Sequence, residues 1–243
     1  MTPPCFLAFD TSTDVLSIGV CAHGHTELRT LAGGAQSSAT LIPTAMDMLA
    51  QAGMGLSQLD AIVFGRGPGS FTGLRTACAV AQGLAFGADR LVLPVDTLLA
   101  VAEEARVQSG SDAPLTVLAL LDARMNEVYS AACDWDGRHW TLRQALQVGS
   151  PEQVSAPAAS RLLIAGNAFE AYGQRLQHLV GERLHALPTA AALLRLAPAL
   201  LAAGQAVPAE QAMPLYIRDK VAQTTAEREA AKAKLADTSS GQA

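Results

Sequence analysis

Apolar positions near the start of the chain fall into short blocks, and a helical repeat follows them. Phe6 to Asp10, Val15 to Cys21 and His25 to Leu31 read as three strands joined by polar or glycine-containing turns, an antiparallel meander. SSATLIPTAMDMLAQAG comes next, with Leu41, Ala45, Met48 and Leu49 at helical spacing, Pro43 suited to a first turn and Gly53 placed to stop the helix. LDAIVFG reads as a buried strand, LRTACAVAQGLAFG as a helix and LVLPV as a strand. DTLLAVAEEARVQ follows as a helix with Asp96 as its cap. Strand and helix alternating at this spacing predict an α/β fold on a mixed sheet with right-handed crossovers.

After SGSDAP the pattern restarts. LTVLALLDA, EVYSAACDW and HWTLRQALQV form a second three-strand meander, followed by the strand RLLIAG, a helix from Ala168 to Leu179 and another through TAAALLRLAPALLAAG that Pro198 should end or kink. A strand-like PLYIR precedes the tail. The repetition predicts two lobes, residues 1–107 and 108–218. Residues 219–243 form a polar tail with a helix-prone charged middle and no apolar face, expected to be disordered or ordered by a partner.

Half of the 243 residues are hydrophobic and 16% are charged, enough for a sizeable core. The net charge of -5 gives no basic field, so direct nucleic-acid binding by this chain alone is not expected. No apolar run reaches the roughly 18 residues of a membrane span, and MTPPCFLAFD lacks the features of a signal peptide, which points to the cytoplasm. Cys5, Cys21, Cys78 and Cys133 are widely spaced and read as reduced, mostly buried thiols.

Candidate chemistry centres on GRGPGSFTGLRT. It lacks the lysine of a Walker loop, its glycines are spaced G-x-G-x-x-x-G rather than as a dinucleotide fingerprint, and Ser70 directly follows Gly69, unlike the serine of a nucleophile elbow. Gly69, Gly73, Ala77, Ala81 and Ala85 recur every four residues as one stripe of small side chains, which either packs on the chain's own sheet or admits another helix. Ser70 or Thr72 would cap the helix, and Arg75 near its start opposes the helix dipole and so calls for a specific partner. Asp10, followed by Thr11, Ser12 and Thr13, is either a phosphate-and-magnesium turn or an Asx or hydroxyl turn between strands. His23 and His25 make a weak metal pair and read as an exposed turn; His139, His178 and His185 stand alone. Asp122, Arg124 and Glu127 either orient a ligand between lobes or form a local ion network, and Trp135 with Trp140 reads as a cross-strand aromatic pair or local cover.

Taken in order, LAFDTST, SSATLIP, GRGPGSFTGLRT, LLDARMNEVY and PLYIR resemble the TsaB (YeaZ) family over roughly residues 5 to 218. The resemblance implies the actin-like, sugar-kinase and Hsp70-type ATPase (ASKHA) fold. It also implies a non-catalytic paralogue of TsaD, the subunit that transfers threonylcarbamoyl to the tRNA adenosine beside the anticodon. TsaB pairs with TsaD, the ATPase TsaE joins them, and TsaC-type enzymes supply the threonylcarbamoyl-adenylate. The resemblance implies that helices near Ala39 to Ala52 and Thr72 to Phe86 meet TsaD, with Leu41, Ala45, Met48, Gly69, Thr72, Gly73, Arg75, Ala77, Ala81 and Ala85 at the interface, and that the same face supports a homodimer. On this reading tRNA is met only indirectly. The chain has no H-x-x-x-H pair of the TsaD iron site, and Ser12 stands where the actin-like phosphate turn has glycine. Gly166 and Asn167 replace the adenosine-type glycine pair, and Ser37 stands where the family often has histidine. Asp10, Ser12 and Thr13 are the only nucleotide-site candidates, with ATP or ADP and magnesium expected only within the complex. The alternatives are an ATP-dependent small-molecule kinase of the same fold, resting on Asp10, and a peptidase resting on Ser70.

Overall fold

The computed structural model describes residues 3–218. Two five-stranded mixed sheets each carry helices on both faces. In the first, β1 (Phe6–Asp10), β2 (Val15–Ala22) and β3 (His25–Ala32) form the expected meander; β4 (Ala61–Gly67) and β5 (Leu91–Asp96) extend it in parallel beside β1, giving the order β3-β2-β1-β4-β5. Every β1 side chain is buried because both faces of the sheet are covered. Leu7, Phe9, Ile62 and Phe64 pack under α1 (Ser37–Gln51) and α2 (Phe71–Ala88), while Phe6, Ala8, Ala61 and Val63 face the other way.

That second face is covered from far along the chain. Beside α3 (Thr97–Gln108), the helix α5 (Ala190–Ala202) lies across it with Ala190, Leu193 and Ala197 inward, and Gly19 is bare because a Cβ there would meet Leu194 at 2.8 Å. The boundary at 107/108 therefore falls between the sheets, but α5 and residues 205–216 return to the first lobe. The second sheet has the order β10-β9-β6-β7-β8, from β6 (Leu115–Asp122), β7 (Val128–Trp135), β8 (Trp140–Gly149), β9 (Leu162–Gly166) and the short β10 (Glu182–Leu184). Trp135 and Trp140 pair across β7 and β8 with ring centroids 5.3 Å apart.

Several local expectations are corrected. Pro43 lies in the interior of α1, where the carbonyl four residues back, on exposed Ala39, is open to water. Pro198 is passed without ending α5: the six buried side chains of that helix all precede the proline's exposed position, and partly buried Leu200 and Leu201 pack on the same core after it. Asp96 caps nothing: its carboxylate pairs with Arg66 at 2.6 Å. The helix expected from Ala168 to Leu179 is only α4 (Ala168–Tyr172), continued by a 3-10 turn over Gly173–Leu176. PLYIR forms no strand, although Leu215 N donates to Arg66 O of β4, and β10 went unanticipated, being too short for a periodic signal. Gly53 does stop α1, at a φ of +68°. The tail expectation concerns residues 219–243, which lie outside the described residues.

A buried carboxylate joins the helices to the second sheet. Glu103 of α3, with 3% of its side chain exposed, accepts two hydrogen bonds from Arg106 at 2.9 Å, one from Arg195 of α5 at 2.8 Å and one from the Trp140 indole of β8 at 3.0 Å. Burial pushes this carboxyl up, but the bonds from Arg106, Trp140 and Arg195 outweigh it and hold the group below the usual range. Its contribution is thus complete at neutral pH and is lost as the pH falls below the ordinary glutamate range. Replacing Glu103 with Ala removes the buried partner of two guanidinium groups, leaving Arg195 with Glu104 and Arg106 with exposed Asp112, and is expected to cost about 3 kcal/mol in urea unfolding at pH 7, with Glu103→Gln costing less; equal small losses for both would contradict the assignment.

Candidate functional site

The glycine segment meets the turn after β1. Gly69 touches Ser12 so closely that a Cβ there would lie 2.6 Å from the Ser12 Cβ and 2.7 Å from its carbonyl oxygen, and a Cβ on Gly73 would overlap the Thr11 carbonyl oxygen. Ser70 N donates to Ser12 O at 2.7 Å, and the Thr11 hydroxyl donates to Gly73 O at 2.7 Å. These bonds bring the start of α2 onto the DTST turn. Ser70 caps α2 by accepting from Gly73 N at 3.5 Å, so the one serine proposed as a nucleophile serves the helix end.

Asp10 is fully buried. One carboxylate oxygen accepts from the Ser12 amide at 2.8 Å and the Ser12 hydroxyl at 2.6 Å; the other has no partner and lies against Gly65, where a Cβ would overlap it. Burial pushes the carboxyl up to about 6 although both bonds from Ser12 pull it down. Thr13 bonds locally to Val15. A phosphate turn needs free backbone amides and a close approach. Here the Ser12 amide is committed to Asp10, the Ser12 carbonyl to Ser70, and the space beside the turn to Gly69 and Gly73, so these residues do not fit a nucleotide phosphate with its magnesium. Among the described residues no cluster of three His, Cys, Asp or Glu can hold a metal.

Between the lobes lies a cleft of about 570 Å³, lined by Ser12, Asp14 and Ser70 on one side and Asp122, Arg124 and Asn167 on the other, with residues 215–218 across it. The β6–β7 turn enters it in an uncommon shape: Arg124, Met125 and Asn126 all have left-handed φ, 58°, 54° and 61°. Asn126 is of a type that adopts this region readily, but Arg124 and Met125 each cost about 1–3 kcal/mol that neighbouring contacts must offset. Asp122 accepts from the Arg124 amide at 2.7 Å and from the Tyr172 hydroxyl at 2.9 Å, and Asn167 Oδ1 accepts from the Asp122 amide at 2.9 Å. Arg124 reaches Asp14 across the cleft at 2.9 Å. The charges read from the sequence as ligand-orienting or local are thus an ion network that spans the lobes.

Of the expected interface residues, Leu41, Ala45, Met48, Gly73, Ala77, Ala81 and Ala85 are buried in the first lobe's own core, and Gly69 is held by Ser12. This corrects the stripe: Gly73 must face Thr11, and the helical repeat then turns Ala77, Ala81 and Ala85 inward with it. The outward residues are Thr72, Thr76, Ala79, Gly83 and Phe86, a second stripe of mostly small side chains that the first one obscured; nothing lies within 4 Å of a Cβ on Gly83 or Gly87. On α1, Ile42 and Met46 are 41% and 40% exposed, and Phe86 is 80% exposed. Thr72 and Arg75 are exposed, but Arg75 has partners within the chain: its guanidinium lies 3.8 Å from the Phe71 ring centroid, and its Nε donates to the Tyr216 hydroxyl at 3.2 Å. Ser37 is buried with an unpartnered hydroxyl. His23 and His25 lie on the exposed β2–β3 hairpin.

The family model described as TsaD, tRNA N6-adenosine threonylcarbamoyltransferase, matches residues 32–226. A tRNA threonylcarbamoyladenosine biosynthesis protein TsaB from Haemophilus influenzae is 36% identical over 88% of this chain and 94% of its own length; its Escherichia coli counterpart is 32% identical over 89% and 95%. The solved structure of YeaZ from Pseudomonas aeruginosa, 37% identical, superposes with a TM-score of 0.81 over 88% of this chain and all of that one.

Two tests follow from the turn. Gly73→Ala is expected to destabilise the chain by about 3 kcal/mol through overlap with backbone, whereas Gly83→Ala on the open face of the same helix should stabilise it by about 0.5–1 kcal/mol; urea unfolding that ranked the two the other way would refute the placement. The native state binds the Asp10 proton more tightly than the unfolded chain does. Stability from this group is therefore complete below about pH 4 and falls by about 3 kcal/mol as the pH rises to about 6 and beyond. Asp10→Asn should then be more stable than the parent at pH 8 by about 1–2 kcal/mol, with the advantage vanishing by pH 4; a variant equally weakened at both pH values would exclude the linkage.

Proposed function

This chain belongs to the TsaB family of tRNA threonylcarbamoyladenosine biosynthesis proteins, and we propose that it acts there as a non-catalytic partner of TsaD, in the cytoplasm, using the outward faces of α1 and α2. The observation that carries this reading is the outward stripe of Thr72, Thr76, Ala79 and Gly83 beside exposed Ile42 and Met46. Small residues with open space above them allow close backbone approach, and exposed apolar neighbours favour burial against a second surface. TsaD transfers the threonylcarbamoyl group in this scheme, TsaE joins the pair, and TsaC-type enzymes supply the activated donor. ATP or ADP and magnesium belong to the complex rather than to the DTST turn of this chain, and tRNA is met through the partner. In the absence of TsaD the same face supports a homodimer. The committed bonds of the DTST turn weigh against a kinase, and the capping role of Ser70 weighs against a peptidase.

Gly83→Trp places a bulky side chain in the middle of the stripe without touching the core. The variant is expected to keep the parent's melting temperature and to lose co-elution with TsaD, while depletion of the chain in its host should lower the modified adenosine in bulk tRNA. Intact co-elution of Gly83→Trp would remove α2 from the interface, and normal modification after depletion would overturn the functional reading.

A further inference from the structure

The segment that follows α5 crosses from one lobe to the other. It starts on the first lobe, where Val207 and Val92 exchange backbone hydrogen bonds at 2.8 and 2.9 Å. Ala209 and Ala212 enter that lobe's core, and Ala212 O accepts from Gln82 Nε2 at 2.8 Å and from the Cys78 thiol at 3.3 Å. Leu215 N donates to Arg66 O at 2.7 Å, and Tyr216 packs on Phe71 with ring centroids 5.3 Å apart while accepting from Arg75. Residues 215–218 then span the cleft. On the far side Ile217 packs into the second lobe's core, and the Arg218 guanidinium donates to Ala123 O at 3.0 Å and to the Glu127 carboxylate.

Ala123 and Glu127 flank the three left-handed residues. The turn between them is closed by two backbone bonds, Ala123 N to Glu127 O and Glu127 N to Arg124 O, each 3.0 Å. Three consecutive non-glycine residues in this region need a hold from outside the turn, and Arg218 bonds both ends of it through Nη2 while Nη1 lies 3.5 Å from the Met125 sulfur. The other tie across the cleft, Arg124 to Asp14, joins side chains that are 71% and 85% exposed, so solvent screens it heavily.

We infer that residues 205–218 are an interlobe latch: anchored along α2, they fix the angle between the lobes and, through Arg218, keep the Arg124–Asn126 turn in its left-handed shape. This inference does not depend on the identity of any partner. It is tested on the full chain by hydrogen exchange, read on peptides covering residues 120–130, together with the radius of gyration from small-angle scattering. Arg218→Ala is expected to raise exchange at the Ala123 and Glu127 amides about tenfold or more, since the bonds that protect them open locally, and to increase the radius of gyration, with β1, β4 and β6 still protected. Arg218→Lys, which keeps the charge but not the length and planarity of the guanidinium, should give a smaller rise in the same peptides. Glu127→Gln, which leaves the segment itself intact, provides the reading if Arg218→Ala does not fold and should also raise turn exchange. Unchanged exchange in the turn of a folded Arg218→Ala or Glu127→Gln variant, or an unchanged radius of gyration in Arg218→Ala, would overturn the latch.

Discussion

The contact of Gly73 with the carbonyl of Thr11 is the constraint on which the first lobe depends. It brings the start of α2 onto the turn after β1, where only a residue without a Cβ fits. Because a helix has a fixed repeat, the azimuth of Gly73 determines that of every later residue. Ala77, Ala81 and Ala85 must then point at the sheet, and Ala79, Gly83 and Phe86 must point away from it. The same contact, with that of Gly69, fills the space on one side of the DTST turn, and the Ser12 amide is already committed to Asp10. One glycine thus closes a phosphate-type turn and presents a helix face to solvent.

Side chains tie the two lobes together at three places: Arg124 and Arg218 at the cleft, and Glu103 behind it, which accepts from Arg195 of α5 and from the Trp140 indole of β8. A planar fork satisfies two acceptors at once in a fixed geometry, which suits a joint better than a flexible lysine does. The three are unequal in strength. The Glu103 cluster is buried, where a broken pair is costly, whereas Arg124 and Asp14 lie in solvent.

Most strands and helices were legible from apolar spacing, since both meanders alternate with clear turns and β1, β4 and β6 are short apolar runs. The failures were local competitions. Asp96 resembles a cap, but Arg66, thirty residues away, takes its carboxylate. Pro198 resembles a stop, but α5 is held by six buried residues before it and by partly buried Leu200 and Leu201 after it. At the candidate site the glycine segment was readable as a close backbone contact, while the direction in which its stripe faces was not, because that depends on Thr11 in a different element. The positive φ of Arg124 and Met125 left no signal, and Asn126, a residue type that adopts this region, left only a weak one; their conformation depends on Arg218, which lies over ninety residues further on.

The central claim is that Asp10 and its turn are structural and that the chain works by pairing. It is tested most directly by the rate of threonylcarbamoyladenosine formation in a reconstituted reaction with the chain carrying Asp10→Asn. The account predicts a rate within about twofold of the parent, because the substitution leaves the outward face of α2 intact and removes only a buried, partly unpaired carboxylate. A loss of about a hundredfold or more, the scale of a removed catalytic acid or base, would contradict it.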